Sequence, residues 1–185
     1  MSSENEILKS CQKGNFEDFA KIYDMYFKKI YVFIYHKTLH KESAEDITSE
    51  VFIKTLESIN SYSFEKGTFS SWIFKIARNS VIDFFRTKKN HLNIDDIWDI
   101  SSLEDIEYES EILLNYEKLQ THLKKIKTEH REILMMKLWQ NLSYKEISEI
   151  TGKSQDNSKK IVSRTIQKLK KEINLFLFFF LLINI

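Results

Sequence analysis

The chain has 185 residues, 42% of them hydrophobic and 30% charged, and a formal net charge of +1. That balance describes a folded globular protein with one sizeable core or two small ones, and it excludes a disordered chain. Proline is absent, glycine occurs three times, and the single Cys11 excludes an intramolecular disulfide and a cysteine-built zinc site. With so few helix breakers and helical apolar spacing recurring throughout, the expected class is all-α.

The opening MSSENEILKS lacks the apolar stretch of a signal peptide, so a cytoplasmic protein is the expectation. Ser3 and Glu6 have the S-x-x-E form of a capping box, opening a short helix that Gly14 closes. Asn15 is expected to cap a long helix over 16–36, with Phe16, Phe19, Ile22, Tyr23, Tyr26, Phe27, Ile30, Phe33 and Ile34 inward. Ser43 is expected to cap the next helix, running to about Asn60 with Ala44, Ile47, Val51, Phe52, Leu56 and Ile59 inward. Its other face shows Glu45, Asp46, Ser49, Glu50 and Lys54, a compact acidic patch. Acids near a helix N-terminus are also favoured by the helix dipole alone.

The stretch 61–89 carries the clearest chemistry of the first half. From Phe69 the residues Phe69, Trp72, Ile73, Ile76, Ala77 and Phe84 make one apolar stripe, and the opposite face shows Lys75, Arg78, Asn79, Asp83, Arg86, Lys88 and Lys89. The polar loop before it, Ser61 to Thr68, holds Tyr62, Phe64 and Gly67. Aromatics in a loop beside a basic helix suit single-stranded nucleic acid, because every unstacked base offers a ring face and cations track the phosphates. An amphipathic core helix with a solvated face would show the same composition.

Charge is segregated along the chain. Residues 90–111 hold eight acids and no Lys or Arg, whereas 1–89 sum to +2 and 112–185 to +7. Two basic-leaning blocks joined by an acidic strap imply two domains, 1–89 and 112–172, with a linker at 90–111. The linker is either extended by self-repulsion or folded back on a basic surface.

Helical spacing resumes near Ile112, where Leu119, Leu123 and Ile126 lead into a helix over 128–139 with Ile133, Leu134, Met136 and Leu138 as core candidates. Ser143 and Glu146 form a second S-x-x-E box; that helix stops at Thr151-Gly152-Lys153, and Ser154 can cap another through Glu172. Two helices joined by a three-residue turn containing glycine make a helix-turn-helix pattern. In the second helix Ile161, Val162, Ile166 and Leu169 supply the buried side, and Ser154, Gln155, Asn157, Lys159, Lys160, Ser163 and Arg164 lie on the exposed one. Gln and Asn can pair bidentately with adenine in the major groove, while Lys and Arg serve guanine or phosphate. The final segment 173–185, INLFLFFFLLINI, is uncharged. As a helix it would measure about 20 Å, short of the ~30 Å hydrocarbon core of a bilayer. A shallow anchor, a partner-binding tail, a packed helix and a frame error all stay open for it.

Taken together, SAEDITSEVF, the spacing in GTFSSWIFKIARNSVIDFFR, and HREILMMKLWQNLSYKEISEITGKS resemble bacterial RNA polymerase sigma factors of the small two-domain extracytoplasmic-function group. Phe69, Trp72, Ile76, Ala77, Asn79, Asp83 and Arg86 fall on the family pattern in the first block, and Leu142, Ser143, Tyr144, Glu146, Ile147 and Gly152 in the second. The resemblance implies a protein without catalytic activity or cofactor that joins core RNA polymerase and directs it to promoters. In such proteins the patch matching Asp46, Ser49 and Glu50 docks on the clamp helices of the largest catalytic subunit. The loop 62–68 and the polar face after it open and hold the minus ten element as single strand, with an extruded base captured in a loop pocket. The helix from Ser154 reads the minus thirty-five element as duplex, the linker threads the polymerase near the RNA exit path, and an anti-sigma factor is the expected regulatory partner.

Departures from the pattern are Ser49 in place of a glutamine, Asn157 and Ser158 in place of threonine and valine, and Ile161 in place of a basic residue. The Ser158 change is expected to loosen packing at the turn. A helix-turn-helix regulator with a sensing domain is the alternative, but it leaves the loop and basic helix of the first half unexplained. A helical enzyme finds no H-E-x-x-H spacing and no phosphate-binding glycine loop. His36 and His40 lie four apart, yet they straddle a helix end without a nearby third metal ligand.

Overall fold

The computed structural model describes residues 3–38, 40–88, 122–123 and 125–172, and these are helices and turns with no strand among them. The chain divides into two compact units, Met1–Ser101 and Ser102–Ile185. The expected linker 90–111, the spacing at 112–119 and the apolar tail 173–185 lie outside the described residues.

The first unit runs α1 (Glu4–Gln12), a 3₁₀ turn (Phe16–Asp18), α2 (Phe19–Thr38), α3 (Lys41–Glu57), a second 3₁₀ turn (Ile59–Ser61) and α4 (Phe69–Lys88). The capping box of Ser3 and Glu6 is formed in both directions. Two helix starts differ from expectation. Asn15 makes no capping bond and instead donates from Nδ2 to Asp18 at 3.2 Å, so the chain enters α2 through the 3₁₀ turn. α3 begins before Ser43, capped by His40, whose Nδ1 accepts from the Ser43 N–H at 3.2 Å. An imidazole lone pair here does what a Ser or Asp oxygen does at other caps, and Ser43 is left buried in the first turn.

Ile22, Ile30, Phe33 and Ile34 of α2, Ala44, Ile47, Val51 and Phe52 of α3, and Phe69, Ile73, Phe74, Ala77 and Val81 of α4 form the core with Ile7 and Leu8 of α1. Phe33 meets Phe74 edge to face at 5.3 Å. Phe16, Tyr23 and Phe27, expected inward, are instead exposed, at 60%, 40% and 37%. Tyr23, Phe27, Tyr31 and Tyr35 stack in succession along α2, with centroids 4.9, 6.0 and 5.9 Å apart. The apolar face of α2 is wider than the surface its neighbours cover, and the surplus rings satisfy one another at i, i+4 spacing. In α4, Trp72, Ile76 and Phe84 are only half-buried, and Phe74 and Val81 take the core places.

The second unit holds α5 (Thr128–Leu138), α6 (Tyr144–Thr151) and α7 (Gln155–Glu172). Ile133, Leu134 and Met136 are buried as expected, with Met135 beside them, and Leu138 is half-buried. Arg131 is also buried, donates from its guanidinium to the Leu123 carbonyl at 3.2 Å, and has its pKa pushed down to about 10 by desolvation. The second capping box, Ser143 with Glu146, is formed, and Gly152 ends α6 in the left-handed region at φ 75°.

Candidate nucleic-acid interface

Residues 58–68 link α3 to α4 and carry the two candidate stacking aromatics. The Tyr62 N–H donates to the Ile59 carbonyl, and Lys66 N–H to the Ser63 carbonyl at 3.1 Å, so the loop turns twice. Thr68 then caps α4, its Oγ1 accepting from Ser71 N–H at 3.1 Å. Tyr62 is 7% exposed and therefore closed to an incoming base. It lies against Phe69 and Trp72, each at 5.4 Å, and donates its hydroxyl to the Gly67 carbonyl at 3.1 Å. Expected as a stacking platform, Tyr62 is the post around which the loop is built, because its ring fills the space that the first turn of α4 leaves. Phe64 stands outside it, half-buried, edge-on to Tyr62 at 4.9 Å with the Lys9 ammonium 5.6 Å from its centroid.

On α4, Lys75, Asn79 and Arg86 are exposed and Arg78 and Asp83 half-buried. Arg86 pairs with Asp83 at 3.1 Å, so part of that basic face is neutralised locally. Lys88 is the last residue of α4, and Lys89 lies outside the described residues. A cleft of about 400 Å³ opens between α3 and α4, lined by Lys54, Glu57, Ser58, Ile76, Asn79 and Ser80. Lys54 reaches across it, donating to Ser80 Oγ at 3.2 Å while paired with Glu50.

The acidic patch is real as a surface. Asp46, Ser49 and Glu50 are all exposed on α3, and Ser49 Oγ turns back to the Glu45 carbonyl at 3.0 Å. One turn further on, Ile53 is 57% exposed on the same face. An isoleucine three residues after Glu50 and outside the apolar stripe is a signal legible in the sequence.

In the second unit, Ser154 Oγ accepts from the Asn157 N–H at 3.2 Å and caps α7. Ser154, Gln155, Asn157, Lys159, Lys160, Ser163 and Arg164 are all exposed, and the opposite side of the helix is closed by Ser158, Ile161, Val162, Thr165 and Leu169. The seven candidates thus share the uncovered side of one helix. Lys159 spans Asp156 at 3.7 Å and the Tyr144 ring at 5.9 Å, and Lys137 approaches the same ring at 5.1 Å. Lys153 pairs with Glu129 at 2.8 Å and ties the turn to α5. Such a surface can lie along phosphates and present amide and guanidinium groups to base edges. Among the described residues no group of three or more His, Cys, Asp or Glu could hold a metal ion.

Residues 22–91 match the family model of Sigma-70 region 2, and residues 116–169 that of Sigma-70, region 4. The chain is 31% identical over 155 residues to the ECF RNA polymerase sigma factor SigM of Bacillus subtilis, covering 83% of this chain and 94% of that one. It is 27% identical over 169 residues to the ECF RNA polymerase sigma factor BldN of Streptomyces coelicolor, covering 90% of this chain and 64% of that longer relative. The structure of CnrH in complex with the cytosolic domain of CnrY shares the fold, with a TM-score of 0.70 at 15% identity over 92% of this chain and 96% of that one. With a region 2 and a region 4 in this order and a relative alike over nearly its whole length, the chain belongs to the extracytoplasmic-function group of RNA polymerase sigma factors.

Proposed function

We propose that the protein joins core RNA polymerase as its sigma subunit and directs initiation at a specific set of promoters, opening the minus ten element with the first unit and reading the minus thirty-five element with the second. The observation that carries this reading is the pairing of regions in one chain, since a plain helix-turn-helix regulator has no use for region 2. Asp46, Ser49, Glu50 and Ile53 form the polymerase-docking face on α3, where exposed acids around an apolar residue suit a basic, partly apolar partner helix pair. Phe64, the more accessible ring of the loop, stacks on an unstacked base. Lys75, Arg78 and Asn79 follow along α4, and the cleft beside Asn79 is roomy enough for a base. Ser154, Gln155, Asn157, Lys159, Lys160, Ser163 and Arg164 face the major groove, with Lys160 and Arg164 free to meet phosphate or guanine. The acidic segment 90–111 is the linker within the polymerase, and an anti-sigma factor holds the protein inactive in the cytoplasm until its signal arrives. The protein makes and breaks no covalent bond; the polymerase does that chemistry.

Run-off transcription with purified core polymerase on host promoter fragments tests this, with full-length protein beside a version ending at Asn174. Promoter-specific transcripts that require the protein are the expected result. Absence of both a stable core complex and a new transcript would sink the proposal, and DNA binding persisting alone would favour a regulator.

A further inference from the structure

We infer that α1, which precedes the stretch matched to Sigma-70 region 2, belongs to the promoter-opening site: Gln12 holds the minus ten loop in its working shape and Lys9 sets the charge beside Phe64. The inference rests on the reading of that loop as the minus ten site. Both N–H bonds of the Gln12 side-chain amide go to the loop backbone, at 3.0 Å to the Ile59 carbonyl and 2.9 Å to the Tyr62 carbonyl. These acceptors are 47 and 50 residues away in sequence, at the point where the loop leaves its 3₁₀ turn. Tyr62 in turn donates its hydroxyl to the Gly67 carbonyl. One amide on α1 therefore fixes the start of the loop, and through Tyr62 its end, leaving Phe64 standing between two anchored points. Lys9, one turn earlier on the same helix, places its ammonium 5.6 Å from the Phe64 centroid. A cation there strengthens the ring's hold on an electron-rich face and stands ready for the phosphate of a base stacked on it.

α1 is itself fastened to the same cluster. The Tyr26 hydroxyl donates to Glu4 at 2.6 Å, and the Tyr26 ring meets Phe69 at 5.3 Å, which meets Tyr62 at 5.4 Å. Gln12 is thus a positioning residue: it touches no nucleotide and acts through the loop. A loop free to shift by about 1 Å loses much of its capacity to trap an extruded base, a loss on the order of tenfold or more.

The test uses holoenzyme reconstituted with the full chain on a promoter found by run-off transcription. Permanganate reactivity of unpaired thymines in the minus ten region reads the rate of opening, and gel retention reads core binding. Gln12→Met keeps the side-chain length and removes both donors. Gln12→Lys keeps donors of similar reach and adds a cation that the C-terminal end of α1 favours. Gln12→Met is expected to slow opening about tenfold with core binding unchanged, and Gln12→Lys to recover it to within about threefold. Lys9→Ala, at an exposed position, is expected to slow opening and to lower the salt dependence by about one charge. Phe64→Ala separates the two levels. If it opens the promoter as wild type does, the loop reading itself is wrong. If it slows opening while Gln12→Met and Lys9→Ala do not, the inference about α1 is overturned. Slowing by Gln12→Met that Gln12→Lys fails to relieve would also overturn it. Should Gln12→Met not fold, the Lys and Lys9→Ala variants decide.

Discussion

Ser158 is completely buried in α7, and among the described residues its hydroxyl finds no hydrogen-bond partner. A buried, unsatisfied hydroxyl costs about 1–3 kcal/mol, so Ser158→Ala is expected to stabilise the second unit by about 1 kcal/mol. Urea unfolding checks this, and a fall in stability would show that the hydroxyl is bonded after all. At the other end of the chain, burial pushes the His36 imidazole down from 6.5 to about 4. In the unfolded chain it takes up a proton near pH 6.5, whereas the folded protein resists protonation until about pH 4. Stability is therefore complete above pH 6.5 and falls as pH drops toward 4, by up to about 3 kcal/mol from this group. Denaturant melts at pH 7 and pH 5 should show that loss, and His36→Gln should flatten it.

At the scale of an element, the turn between α6 and α7 depends on backbone conformation rather than on space. Gly152 has φ 75°, and a Cβ placed there meets nothing within 4 Å. Gly152→Ala therefore carries only the left-handed penalty, about 1–2 kcal/mol, visible as a lower melting midpoint without loss of fold. The exposed side of α7 makes a different claim. Lys160→Ala and Arg164→Ala are each expected to weaken minus thirty-five duplex binding and to reduce its salt slope by about one. Fluorescence anisotropy over a range of salt concentrations measures both. Asn157→Ala should instead change preference among base pairs, costing about 1–3 kcal/mol on the preferred site.

For the whole molecule, the two units should fail separately. Glu50→Lys reverses charge in the centre of the α3 patch and also removes the partner of Lys54. It is expected to lower affinity for core polymerase by at least tenfold, since like charges juxtaposed across an interface cost several kcal/mol, while binding of the minus thirty-five duplex by the free protein is untouched. Arg164→Ala should show the reverse. Pull-down with core polymerase beside duplex binding distinguishes them, and loss of both activities in either variant would mean that the units do not act independently.

The helices, their two capping boxes and the glycine-ended turn before α7 were legible in the sequence because each depends on residues within a few positions of one another. Ser3 with Glu6 and Ser143 with Glu146 cap as their spacing requires, and the exposed side of α7 follows from its own periodicity. What tertiary structure alone decided depends on distant contacts. Tyr62 and Phe64, two residues apart in one polar loop, look alike in sequence; Tyr62 is buried and Phe64 only half-buried, and Tyr62 lies against Phe69 and Trp72. The stripe of α2 was wider than the groove between its neighbours, so periodicity placed Tyr23 and Phe27 inward where packing left them out. His40 in place of Ser43 as a cap turned on the extended backbone at His40, which its residue type does not announce. The bonds of Gln12 to a loop 47 and 50 residues away carry no local pattern at all. Local hydrogen bonding and periodicity specify which segments coil and where they stop; which aromatic of the loop stays accessible is settled by the volume its neighbours leave.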